Sequence, residues 1–171
     1  FKRKRAGQTL SKQRLRLWIR LLRVTRTAEA ELREFLRTEH DTTLPRFDVL
    51  AALRRAGTPL TMSELSRLLL VSNGNTTTVV DRLEADGHVA RTQSDSDRRI
   101  VHVALTSAGR RHFDALAADH EARVNELFAG VSAADLAQLD DLLQRLQPEL
   151  PIFAPHHCDC VADLLRGGGR Q

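Results

Sequence analysis

The sequence predicts a mainly α-helical fold with one small antiparallel β-hairpin set among its helices. Three observations carry that prediction. Apolar residues recur at helical spacing along most of the chain. Two short helical patterns flank a tight turn at Val71-Ser72-Asn73-Gly74. Directly after them, Val89 to Thr92 and Ile100 to Leu105 read as two strands around the polar segment Gln93-Ser94-Asp95-Ser96-Asp97-Arg98-Arg99. Helix, turn, helix and then a charged hairpin is the order of a winged helix-turn-helix.

The bulk composition suits that architecture. The chain has 171 residues, within the range of one domain, with 42% hydrophobic residues, 4% aromatics and no Tyr. A core of Leu, Ala and Val follows. Lys plus Arg number 26 against 22 acidic residues, a net charge of +4. The distribution is more informative than the total. Lys2, Arg3, Lys4, Arg5, Lys12, Arg14, Arg16, Arg20, Arg23 and Arg26 all precede the first acidic residue, Glu29. An uncompensated basic segment favours polyanions, nucleic acid first and an anionic membrane surface second. Residues 1–8 read as a basic, disordered tip. No apolar run approaches the roughly 20 residues of a membrane span, and no signal-peptide core is present. Two cysteines, Cys158 and Cys160, make no disulfide framework. A cytoplasmic setting is expected.

Taken in order, Leu15, Trp18, Leu21, Leu22, Ala28, Leu32, Phe35 and Leu36 mark one long first helix over 9–40. Pro45 suits the first turn of a second helix, which carries Phe47, Leu50 and Leu53 and stops near Gly57. Thr58-Pro59 reads as an extended link. Thr61-Met62-Ser63-Glu64 is a capping box for a third helix, with Leu60 and Leu65 as its hydrophobic staple. Ser72 or Asn73 caps the fourth helix, which turns Val79, Val80 and Leu83 inward and ends at Gly87. After the hairpin, Ser107 is expected to cap a helix running to about Ala129, stopped by Gly130. Ser132 to Asp135 is a second capping box, opening a helix with Leu136, Leu139, Leu142, Leu143 and Leu146. The first and last two helices carry apolar stripes that a lone winged helix cannot bury. A two-fold dimer through these terminal helices is expected, with an intramolecular bundle as the alternative. The expected organisation is a 9–40 dimerisation helix, a 41–106 winged helix-turn-helix, 107–150 C-terminal dimerisation helices and a 151–171 tail.

Three stretches name a family: Leu60 to Ser66, Val71 to Gly87, and Asp97-Arg98-Arg99-Ile100-Val101-His102-Val103-Ala104-Leu105-Thr106-Ser107-Ala108-Gly109. They resemble the MarR family of bacterial transcriptional regulators, whose wing pattern is D-x-R-x-x-x-V-x-L-T-x-x-G. Asp97, Arg99, Val103, Leu105, Thr106 and Gly109 occupy its fixed positions. The resemblance implies an obligate dimer bound to palindromic double-stranded DNA, usually a repressor, released in many members by a small phenolic or anionic ligand. Leu17 to Leu22, Thr43 to Asp48 and Val71 to Asn75 are further similar to a branch of aromatic-acid catabolism regulators, some of which sense aromatic acids or their coenzyme A thioesters.

On this reading, Ser72, Asn73, Asn75, Thr77, Thr78 and Arg82 face the major groove, where Asn suits adenine and Thr offers a hydroxyl or a methyl. The alternative for the threonines is that they face solvent or bond back to the helix. Arg99 is expected in an A·T-rich minor groove, oriented by Asp97. Arg98 and Arg91 are phosphate candidates, and Ser66 and Arg67 backbone candidates. An effector pocket is expected where the first helix, the Pro45 helix and the Ser107 helix converge. Trp18, Leu22, Phe47 and Phe113 would wall it, and Arg14, His40 or Arg46 would hold a carboxylate. His156, His157, Cys158 and Cys160 raise a metal- or thiol-responsive alternative, although their spacing matches no zinc site. A non-specific architectural DNA-binding role is a further alternative. No cofactor motif, nucleophile elbow or phosphate loop is present, so an enzyme is not expected.

Overall fold

In the computed structural model, which describes residues 9–69, 73–94 and 99–146, six helices and three short strands follow in the order α1 (Leu10–His40), α2 (Leu44–Ala56), β1 (Leu60–Thr61), α3 (Met62–Leu69), α4 (Asn73–Ala85), β2 (Val89–Gln93), β3 (Val101–Leu105), α5 (Ser107–Leu127) and α6 (Ala133–Leu146). The mainly helical fold with a small β-wing is as expected. The three strands form one antiparallel sheet in the order β1-β3-β2.

Local chemistry sets the helix ends. The backbone N–H of Thr61 and its hydroxyl both donate to Glu64 Oε2 at 2.8 Å, and Glu64 N–H donates back to Thr61 Oγ1. That reciprocal box satisfies donors that open a helix. At the start of α6 the Ser132 hydroxyl donates to Asp135 Oδ2 and accepts from Asp135 N–H. Gly57 and Gly87 stop α2 and α4 at φ values of 66° and 71°, a region open to glycine at no steric cost.

Three expected details are corrected. Leu60 and Thr61, expected only as staple and cap of the third helix, also form a third strand, in which Leu60 pairs with Val103 and Thr61 with His102. That pairing is long-range and leaves no local periodicity to read. Thr106, rather than Ser107, is the N-cap of α5: its Oγ1 accepts from Gly109 N–H at 2.9 Å. Helix α5 also ends at Leu127, before Gly130, with Phe128 as its cap.

The core lies in the middle of the chain. Leu50, Leu65, Val80, Leu83, Val103 and Phe113 are fully buried, so α2 to α5 and the sheet share one interior, joined by Leu36 near the end of α1. The chain ends behave differently. Leu10, Leu15, Leu17, Trp18, Ile19 and Val24 of α1 are exposed, as are Leu136, Leu139, Leu142, Leu143 and Leu146 of α6. No residue of α6 is buried. The expected apolar stripes are present, but among the described residues this chain does not bury them in an intramolecular bundle.

Candidate nucleic-acid interface

Helix α4 has two sharply different faces. Thr76, Val80 and Leu83 follow one another at helical intervals along one row and are buried. Thr76 Oγ1 accepts a 2.9 Å hydrogen bond from Ser66 Oγ, tying α4 to α3 inside the core. This overturns the expectation that Ser66 reaches the DNA backbone, because the side chain is enclosed. It also removes Thr76 from the outward threonine run. Asn75, Thr77, Thr78 and Arg82 are exposed on the remaining surface. Thr78 Oγ1 donates to the carbonyl of Gly74, so this hydroxyl bonds back to the helix. Helix α4 begins at Asn73; Ser72 and the Asn73 side chain lie outside the described residues.

The wing is a hairpin of β2 and β3 in register from Val89↔Leu105 to Gln93↔Val101. Ser94 N–H donates to Ile100 carbonyl at 2.9 Å and continues the ladder one step. Arg99 is exposed immediately beyond that closure. Asp97 and Arg98 lie outside the described residues. Arg67 on α3 is exposed.

Arg91 has a position that the sequence did not signal. Its guanidinium meets Asp81 at 2.6 Å and Glu84 at 2.7 Å, and its N–H donates to Glu84. Two carboxylates of α4 thus neutralise the charge expected on a phosphate, and the residue instead clamps β2 to α4. The three positions come together only when the chain reverses at Gly87.

The family wing pattern now has a physical meaning. Val103 and Leu105 are core residues of β3. Thr106 caps α5 and donates through Oγ1 to the carbonyl of Gly87 at 2.7 Å. A Cβ at Gly109 would overlap the His88 carbonyl oxygen and lie 2.7 Å from its carbonyl carbon. The first turn of α5 is therefore seated on the turn that ends α4. Arg46 pairs with Asp86 across the same junction, and the rings of His88 and His112 stack 4.1 Å apart.

The residues expected to form an effector pocket do not converge. Phe47 and Phe113 are core residues 5.5 Å apart, and Phe47 stacks on buried His120. Trp18 is 59% exposed, and Arg14 is exposed. On one continuous helix, Trp18 stands about 33 Å along the axis from His40. Leu22 lines a hollow beside α1 with Ile19 and Arg26. His40 lines a separate cleft of about 620 Å³ between α1 and α5, with Glu31, Glu34, Phe35, Asp119 and Arg123. The last set is rich in carboxylates and ill suited to an anion. Arg46, at the Asp86 junction, belongs to neither hollow. His156, His157, Cys158 and Cys160 lie outside the described residues. Among the described residues, no group of three or more His, Cys, Asp or Glu side chains is placed to hold a metal, and no helix is long and apolar enough to cross a membrane.

Burial pushes the imidazoles of His120 and His112 below the usual histidine range, with nearby His88, Arg46 and His40 adding to the effect at His112. Their stabilisation is present above the unfolded value of 6.5 and is lost as the pH falls from there through the lower folded values. Urea midpoints are therefore expected to drop between pH 7.5 and pH 5. His120→Phe, which keeps a ring against Phe47, should flatten that dependence; an unchanged slope would remove His120 from the explanation.

A MarR-family model matches residues 40–100, from the end of α1 through β2. The chain is 37% identical over 107 residues to the uncharacterized HTH-type transcriptional regulator YkoM of Bacillus subtilis, covering 63% of this chain and 69% of YkoM. The chain belongs to the MarR family. It is 31% identical over 106 residues to the HTH-type transcriptional regulator PecS of Dickeya dadantii, covering 61% of this chain but only 64% of PecS, just under two thirds of its length. A mutant MarR from Escherichia coli in complex with operator DNA superposes with a TM-score of 0.69 at 28% identity, over 81% of this chain and 99% of that one. As a MarR-family winged helix, this chain is a DNA-binding transcriptional regulator, and the surface of α4 and the wing is its candidate interface.

Proposed function

We propose that the protein is a homodimeric, sequence-specific repressor that reads two operator half-sites and is released by a small ligand. The observation that carries the dimer is the pair of exposed apolar stripes on the N-terminal half of α1 and on α6. Leucines in such number at helical spacing favour burial against another surface. A second copy supplies the same stripes by two-fold symmetry and sets two winged helices on one face of DNA. Asn75, Thr77, Thr78 and Arg82, with Ser72 and Asn73, read the major groove; Arg99 enters the minor groove with Asp97 orienting it and Arg98 on phosphate. A dimer seated over a promoter blocks transcription by occupancy, so repression needs no further contact surface. Kinship to regulators supports a role without enzymatic chemistry.

For release, Arg46 is the best placed of the expected ligand residues. It joins α2 to Asp86 at the end of the recognition helix, and its Nε is buried without a partner among the described residues. An aromatic carboxylate or an acyl-CoA thioester that competes for this guanidinium frees Asp86 and loosens the seat of α4. Such a ligand acts only through its preference for the loosened state.

Fluorescence anisotropy on the DNA upstream of its own gene, beside a scrambled duplex, tests the reading. Tight, selective binding is expected. Arg99→Ala should weaken specific binding by about 1–3 kcal/mol. Unchanged affinity in that variant would remove Arg99 from the interface, and equal binding to both duplexes would favour the architectural alternative. Aromatic carboxylates should release the unaltered protein, whereas Arg46→Ala, which lacks the Asp86 pair from the start, should bind the operator weakly and respond no further to them.

A further inference from the structure

Many arginines of this chain are neutralised locally. Arg33 pairs with Glu29, Arg54 with Asp114, Arg91 with Asp81 and Glu84, Arg123 with Glu31 and Glu126, and Arg145 with Asp141. The N-terminal half of α1 departs from this pattern. Lys12, Arg14, Arg16, Arg20, Arg23 and Arg26 are all exposed, and no acidic residue occurs before Glu29. Among the described residues no carboxylate pairs with any of them. At the helical repeat, Lys12, Arg16, Arg20, Arg23 and Arg26 share an arc of about 120°. Leu10, Leu17 and Leu21 lie on the opposite side together with Arg14, while exposed Ile19 falls within the basic arc and Leu15 beside it. The row from Lys12 to Arg26 is about 21 Å long, the rise of about six base pairs of B-form DNA.

This row is remote from the winged helix. Helix α1 meets the rest of the chain through its C-terminal half, where Leu36 is buried, Glu31 meets Arg123 and His40 lies 3.5 Å from Asp119. Lys12 stands about 36 Å further along the axis than Leu36. A contact there engages something other than the base pairs under α4.

We propose that the basic face of α1 is a second, sequence-independent contact for duplex DNA, so that a molecule seated on an operator holds a second DNA segment. The density of unpaired cations suits a phosphate backbone, and release of its counterions drives binding. A membrane surface is the weaker match. An interfacial helix inserts one continuous apolar face, whereas here Arg14 interrupts the side that carries Leu10, Leu17 and Leu21.

The test fixes the duplex upstream of its own gene on beads, loads the full-length protein and adds a labelled mixed-sequence duplex. Retention of the protein reads the winged helix; capture of the second duplex reads α1. Capture is expected at 50 mM salt, falling roughly 10²–10³-fold in affinity by 200 mM for about five phosphates neutralised. K12E/R16E/R23E should abolish capture while leaving retention within about two-fold and the sedimentation mass unchanged. In parallel, anisotropy on the mixed-sequence duplex alone should show the salt slope of this variant reduced by about 3. That arm decides the proposal even if no operator is found upstream. Retention without capture, an unaltered salt slope or a variant that falls apart into monomers would overturn the proposal. So would binding to phosphatidylglycerol vesicles that mixed-sequence DNA cannot compete away.

Discussion

On the proposed dimer, replacing Leu139 and Leu143 with glutamate is expected to give a monomer and to lower affinity for a two-half-site operator by at least about 10²-fold. Both leucines sit on α6, which has no buried residue in the protomer, and they are 42% and 39% exposed. Two carboxylates in the middle of an apolar contact would have to be desolvated without partners, and dissociation avoids that cost. One winged helix then binds alone, and the second half-site no longer acts at high effective concentration. A 14-residue helix without tertiary support is marginal in water, so helicity should fall modestly as well. Sedimentation equilibrium gives the mass, and anisotropy gives the affinity. The core should survive, because Phe113, Leu83 and Val103 do not depend on α6. A variant that remains dimeric would move the interface away from the terminal helices.

Gly109→Ala is expected to destabilise the winged helix by about 1–3 kcal/mol or more, the range for overpacking that backbone must relieve. The new methyl would collide with the carbonyl of His88, which is held in place because Thr106 N–H donates to it at 3.0 Å. A flexible side chain would swing aside; a bonded carbonyl does not. Relief requires lifting the first turn of α5 from the turn at Gly87 and His88. That movement would strain the bonds from Thr106, the His88–His112 stack and the Arg46–Asp86 pair. All of these lie at the end of the recognition helix, so operator binding should fall along with the urea midpoint. A variant as stable as the unaltered chain would show that this junction yields freely.

The two capping boxes were legible in the sequence because each is complete within four residues, Thr61 to Glu64 and Ser132 to Asp135. The helix stop at Gly87 was legible because its conformation is strongly selective for glycine. The wing pattern was legible as a pattern, but the reasons for it were not. The seat under Gly109 brings residues 88 and 109 together, and the cap on α5 belongs to Thr106, one residue before the serine that local rules favour. Strand β1 was hidden because its partner, β3, lies some forty residues away.

The same division holds at the interface. Helical periodicity identified α4 and its polar surface, but it did not separate Thr76 from Thr77 and Thr78. That distinction depends on where α3 packs, and the bond from Ser66 settles it. Arg91 looked like any exposed cation until the hairpin brought it between Asp81 and Glu84. Trp18 and Phe47 looked alike as apolar candidates for a pocket, yet one is exposed on α1 and the other is core. By itself, then, the amino-acid order determined what depends on near neighbours: helix type, caps, stops and the alternation of the wing. Tertiary structure alone decided which hydroxyl is buried, which cation is already paired and which aromatic side chains meet, because burial and charge pairing are set by residues distant in sequence.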